Sequence, residues 1–180
     1  MPLPIKIGGA GMQVSKRFLL KSVAVLAVCS IGMVNSAAGR TIGDLTIKTV
    51  DGKTIAIPEA ELLAQPLKIV NTHTAWTKGQ HEFKGILLSD VLAKAGIDVS
   101  SAGGMKLRAL ALNDYVVNIP LEDAAKYKVL VAAYMDGKRL TVRDKGPYWL
   151  VYPRDEFTEL KDARFDHRWA WQLKEISIIK

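Results

Sequence analysis

Cysteine is all but missing from these 180 residues: the only one, Cys29, stands near the N-terminus. A single cysteine allows no internal disulfide, and beyond position 29 no thiolate is available as a nucleophile or soft metal ligand. Histidine is nearly as scarce. His73, His81 and His167 show no H-x-x-x-H or comparable spacing, which leaves a converged three-histidine metal site without local support, and no metal ligand set is expected. Gly103-Gly104 is too short for a phosphate-cradling loop, and no serine lies in a nucleophile-elbow context. The acid neighbours Glu122-Asp123 and Asp155-Glu156 do not face one another on a regular element, so they read as solvated charge and not as an acid–base pair. No basic stripe with interleaved aromatics is present, which excludes a nucleic-acid partner.

What is present begins with a leader-like segment. Lys16-Arg17 and Lys21 precede an apolar run, Ser22 to Val34, that closes on Ser36-Ala37-Ala38. A basic stretch, a short apolar stretch and small residues predict a secretory signal peptide over residues 1–38 and a periplasmic or secreted protein. The run falls short of the roughly 20 apolar residues of a membrane span. An uncleaved anchor is the competing reading, and lipid attachment at Cys29 is disfavoured by Val28 before it. Without the four basic residues of that segment, 21 basic residues face 18 acidic ones. The high pI therefore belongs largely to the leader, and the remaining small excess is compatible with binding small anions. Residues 39–180 form one domain long enough to bury roughly two-thirds of its unfolded surface.

Along that domain, Leu45 to Lys48 and Thr54 to Ile57 flank Asp51-Gly52 as a hairpin. Pro58 opens a short helix, Glu59 to Ala64. Leu67 to Val70 reads as a buried strand that breaks into an irregular stretch, Asn71 to Gln80. A helix over Ile86 to Ala95 stops at Gly96. Strands follow at Met105 to Leu112, Tyr115 to Ile119, Val129 to Met135, Tyr148 to Tyr152 and Leu173 to Ile179, with a short helix starting at Pro120. Arg143 to Pro147 and Arg154 to Trp171 are irregular, and the second is long for a connection in a compact domain. Many strands with few helices predict α+β architecture with a mixed sheet or barrel-like core.

The order of these signals resembles the molybdopterin-binding domain of the sulfite oxidase family. The resemblance is carried by F-K-G-I-L-L-S-D-V-L-A-K-A-G (Phe83 to Gly96), Asn113-Asp114-Tyr115 with Ile119-Pro120-Leu121, and Leu130 to Leu140. It continues through Gly146-Pro147 to Val151-Tyr152-Pro153 and ends in W-Q-L-K-E-I-S-I (Trp171 to Ile178). It implies the sulfite-oxidase-type molybdopterin-binding fold from Leu45 to Lys180. In that family a cysteine at the end of the strand matching Leu67 to Val70 ligates molybdenum through its thiolate. Here the position falls on Asn71, or on Thr72 if the register slips by one, and neither is a soft anionic ligand. The family's arginine after the Gly-Pro turn is matched by Trp149, and the basic residue before the C-terminal tryptophan by Ala170.

These departures predict a cleft relined by Asn71, His73, Trp76, Tyr115, Arg143, Tyr148 and Trp149, with no catalytic residue. Aromatic walls with a few cationic or amide groups suit a small planar or anionic ligand. No cofactor is expected under this reading; the alternative is an oxidoreductase that binds molybdopterin through the cofactor's own dithiolene. A further reading takes Arg154 to Trp171, rich in aromatic and arginine residues, as a surface for a membrane sensor or an enzyme subunit. Its counterpart is that the loop folds back as a plug over the cleft.

Overall fold

The computed structural model describes residues 41–101 and 103–180. The expected signal peptide and Cys29 lie outside the described residues. Within these, alternating burial sorts the strands into two five-stranded sheets. β1 (Leu45–Lys48) and β2 (Thr54–Ile57) form the expected hairpin, with Leu45 opposite Ile57 and Gly52 in the left-handed region at its turn. Pro58 precedes α1 (Glu59–Leu63), which buries Leu62. β3 (Lys68–His73) and β4 (Gln80–Leu87) pair antiparallel, and α2 (Leu88–Lys94) follows without a break. β5 (Lys106–Ala111) and β6 (Val116–Pro120) form a second hairpin, and α3 (Asp123–Lys126) leads to β7 (Leu130–Met135). β8 (Lys138–Arg139), β9 (Trp149–Val151) and β10 (Leu173–Ile179) complete the set.

One sheet runs β2-β1-β10-β5-β6, with β1 and β10 parallel. In the other, β3-β4-β7 is continued by β8 and β9, which pair with the two ends of β7. The barrel-like core is thus corrected to two open sheets sharing one hydrophobic core, in which Leu45, Ile47, Phe83, Ile86, Leu107, Trp149, Leu150 and Ile176 are fully buried. The α+β class and the sulfite-oxidase-type architecture stand. Among the described residues no helix is long and apolar enough to cross a membrane.

Several boundaries differ for physical reasons. β3 does not end at Val70. Asn71, Thr72 and His73 stay in the ladder opposite Glu82, His81 and Gln80, because a half-exposed edge strand accepts polar residues on its outer face. β4 takes Gln80 to Leu87, so the expected helix begins only at Leu88. Pro120 ends β6 and does not open a helix; it sits on an edge strand, where a missing N–H costs little. Residues 154–171 are not an open loop but carry two short 3₁₀ turns, Thr158–Lys161 and Ala163–Arg168, with Leu160 buried.

The β4–β7 pairing shifts register between Lys84 and Gly85. A Cβ on Gly85 would run into the Val131 carbonyl oxygen and the Ala132 backbone. Both obstacles are backbone atoms of a central strand and cannot swing aside. Gly85→Ala is expected to destabilise the fold by about 1–3 kcal/mol, the usual cost of overpacking, measured as a lower urea midpoint at an unchanged m-value.

Candidate functional site

The six residues between β3 and β4, Thr74 to Gly79, form the tip of a hairpin. The buried Thr74 hydroxyl accepts from the backbone N–H of Trp76 (3.1 Å) and Thr77 (3.0 Å), which folds the tip into a tight turn. His81 ties the same tip down: Nδ1 lies 2.6 Å from the Asp136 carboxylate and Nε2 lies 3.0 Å from the Lys78 carbonyl. The hydrogen bond from His81, followed by that from the Glu82 amide, holds the Asp136 carboxyl below its ordinary value. The turn therefore presents Trp76, 37% exposed, as a fixed side chain.

Trp76 meets three other indoles. Its ring centre lies 5.5 Å from Trp169, 5.5 Å from Trp171 and 6.5 Å from Trp149, at 59°, 77° and 62°. Trp149 is fully buried behind it, packed edge-on against Phe83 at 5.3 Å, with the Lys145 ammonium 5.5 Å from its ring centre. The indole N–H of Trp149 is buried without a hydrogen-bond partner among the described residues. In front of the indoles is a cleft of about 210 Å³ lined by Trp76, Tyr115, Trp169, Trp171, Asn113, Asp166 and His167.

The backbone is constrained around this cleft. Three non-glycine residues in the left-handed region flank it in sequence: Asp114 beside Tyr115, Gln172 beside Trp171, and Lys145 near Trp149. The Gln172 amide donates to the Lys145 carbonyl at 3.0 Å, so two of them brace one another. Such conformations cost energy and persist where the surroundings over-determine them, often at binding sites.

Of the expected site residues, Trp76 and Tyr115 line the cleft, while Trp149 is buried against Trp76 and does not line it. The others are placed differently. Asn71 is exposed, and the alternation of β3 turns it to the face opposite buried Thr72. His73 is exposed on that outer side, its Nδ1 2.8 Å from the Asp155 carboxylate, which Gln80 also bonds at 3.0 Å. Burial pushes the Asp155 carboxyl up, but the hydrogen bonds from His73 and Gln80 outweigh it and leave the group below its ordinary value. Arg143 lies on an exposed turn and does not line the cleft.

Tyr148 is also corrected. It is fully buried, and its hydroxyl donates to the Gly43 carbonyl at 2.7 Å. Adjacent residues of an extended chain face opposite sides, so Tyr148 and Trp149 cannot share a wall. Burial raises the Tyr148 phenol well above its ordinary range. Below it lies Arg139, which bonds the carbonyls of Ala133 (2.8 Å) and Pro147 and the Glu59 carboxylate (2.6 Å). Arg139 thus fixes the turn that delivers Trp149, a role with no sequence signal beyond its place after a tight turn.

The cleft residues not anticipated are Trp169, Trp171, Asn113, Asp166 and His167. The loop packs on the core through buried Leu160 and Trp169 and supplies one wall of the cleft. Arg154 Nη1 bonds Asp166 at 2.9 Å, and Arg168 Nη1 bonds buried Asp123 at 2.6 Å. The signal was the W-A-W triplet, Trp169-Ala170-Trp171, in which alternation places both indoles on one side.

The donor set does not suit a molybdenum held through a protein thiolate. Of the two candidate positions, Asn71 faces solvent, and the Thr72 hydroxyl is committed to the His73 carbonyl (3.3 Å) and the Asp155 amide (3.2 Å). The three histidines do not converge: His73 and His81 pair with separate aspartates and His167 sits at the cleft. Among the described residues no cluster of three His, Cys, Asp or Glu side chains is placed to hold a metal ion.

The family model described as "Oxidoreductase molybdopterin binding domain" matches residues 60–159, more than half of the 180-residue chain. Among solved structures, the chain is similar to the sulfane dehydrogenase SoxCD from Paracoccus pantotrophus, with 20% identity and a TM-score of 0.57. That match covers 77% of this chain and 39% of the other, a likeness of fold alone. No protein of curated function matches the chain in sequence. With one mixed and one antiparallel sheet and short helices, and with a family model running from α1 into the 3₁₀ turn Thr158–Lys161, the chain belongs to the oxidoreductase molybdopterin-binding domain family.

Proposed function

We propose that the protein uses this fold as an exported binding or signalling module, taking a small ligand in the cleft beside Trp76 instead of running molybdenum redox turnover. The observation that carries the reading is the exchange of chemistry at one place in the fold. Where the family resemblance expects a thiolate and an arginine, the chain has exposed Asn71, or the committed hydroxyl of Thr72 if the register slips by one, and a buried indole at Trp149. An aromatic cleft of about 210 Å³ is lined by Trp76, which packs against Trp149. That is below the roughly 300–1,000 Å³ of drug-sized pockets, which favours a small ligand or headgroup. The exported setting follows from the leader-like segment. The wall formed by the loop ending at Trp171 is the surface through which occupancy would reach a sensor or enzyme subunit.

Family membership favours a second reading, in which molybdopterin binds through its own dithiolene without a protein sulfur. Purification of the full chain from the periplasm of its source cell, followed by metal analysis and mass spectrometry of released small molecules, separates the two. The binding reading expects molybdenum far below stoichiometric and a small molecule whose retention is lost in Trp76→Ala. Stoichiometric molybdenum with a released pterin would overturn it.

A further inference from the structure

We infer that the cleft is a cage for a compact organic cation of the methylated-ammonium class. This rests on the reading that the cleft is a ligand site, and it names the ligand chemistry. Four of the seven lining residues are the aromatics Trp76, Tyr115, Trp169 and Trp171, beside Asn113 and His167; the seventh, Asp166, is ion-paired to Arg154 at 2.9 Å, and no lysine or arginine lines the cleft among the described residues. Aromatic faces carry negative potential, so they repel an anion and attract a cation. The walls are also wrongly disposed for a flat guest. Trp169 and Trp171 meet Trp76 at 59° and 77°, so these walls offer no pair of parallel rings between which a flat guest would stack.

The protein already exploits this attraction within the cluster, where the Lys145 ammonium lies 5.5 Å from the Trp149 ring centre. Lysine is tethered and strongly hydrated. A free guest entering an apolar box leaves water more readily when methyl groups replace its N–H donors, because fewer hydrogen bonds are forfeited. The small volume of the cleft suits such a headgroup, and quaternary ammonium recognition by aromatic cages follows the same physics.

The test is calorimetric titration of the full chain, with tryptophan fluorescence in parallel. The probes are choline chloride, tetramethylammonium chloride, the uncharged tert-butyl isostere of choline, and a carboxylated pterin. Choline and tetramethylammonium are expected to saturate the site, choline at least about tenfold more tightly than its uncharged isostere. Tyr115→Ala, at a 49% exposed position, should weaken choline by about tenfold or more with an unchanged thermal melt, and Trp76→Ala, which also removes ring contacts to three indoles, should weaken it by at least as much. Isostere binding equal to choline, pterin binding without choline binding, or choline binding indifferent to both substitutions each overturns the cation inference. Pterin binding lost in Trp76→Ala would leave the ligand-site reading standing; failure of every probe, with no retained molecule in native protein, removes both.

Discussion

Arg168→Met is expected to lower folding stability by about 3–5 kcal/mol, the loss typical when one partner of a buried pair is removed. Its partner Asp123 is 2% exposed and accepts from Arg168 Nη1 at 2.6 Å and from the Tyr152 hydroxyl at 3.0 Å. Burial pushes the Asp123 carboxyl above its ordinary value, opposed by Arg168 and then by the Tyr152 hydrogen bond. Removing the cation takes away the larger opposing influence and leaves a carboxylate buried against one phenol. A group whose folded-state pKa is raised binds its proton more tightly in the folded state. Its contribution is complete below the unfolded value of about 3.9 and is lost as pH rises through the folded one. The deficit of Arg168→Met should therefore grow from about pH 4 toward neutrality. Adding Asp123→Asn removes the charge, keeps an acceptor for Tyr152, and should recover more than half of the loss with little pH dependence. Urea denaturation across that range decides: a pH-independent deficit, or a double variant no better than the single, would refute this account of the loop anchor. The consequence for function is direct, since Arg168 precedes Trp169 and holds the segment carrying two of the four indoles.

The strands legible in the sequence were those whose apolar alternation is uninterrupted. β10 was read at its observed bounds, and β1, β2, β5 and β7 to within a residue at either end. β4 was hidden because Gln80-His81-Glu82 is polar and runs directly into a helix-forming sequence. Its membership in the sheet is decided by pairing with β3 and β7, which is long-range information. The same holds for Asn71 to His73, whose polarity reads as a loop until a partner strand is known. At the cleft, Trp76 and Tyr115 were recoverable because large aromatics near irregular backbone have few places to go. Tyr148 was not. Its neighbour Trp149 joins the indole cluster, and only the strand assignment shows that the two rings diverge, one toward Gly43 and the other toward Phe83. Asp166 and His167 carry no local signal at all, because two 3₁₀ turns decide which side of the loop meets the indoles.

Trp149→Ala is expected to cost about 3–5 kcal/mol, in the range for aromatic truncation in a packed core. The ring is fully buried and contacts Phe83, Trp169, Trp171 and Trp76 at centre distances of 5.3, 5.9, 6.2 and 6.5 Å. Its removal leaves a void behind the cleft and withdraws the ring beside the Lys145 ammonium. Trp149→Phe separates packing from polarity. It retains much of the ring and deletes an indole N–H that is buried without a partner, a group whose desolvation ordinarily costs about 1–3 kcal/mol. The phenylalanine variant should therefore lose less than half of what the alanine variant loses, although both shrink the side chain. Equilibrium denaturation of the three proteins provides the comparison, and time-resolved anisotropy of the remaining tryptophans provides a second readout. Trp76 loses one of its three indole neighbours in Trp149→Ala and should gain fast local motion, while Trp149→Phe should leave it restrained. Equal losses in the two variants would mean that volume alone governs the site and that the unpaired indole N–H carries no penalty.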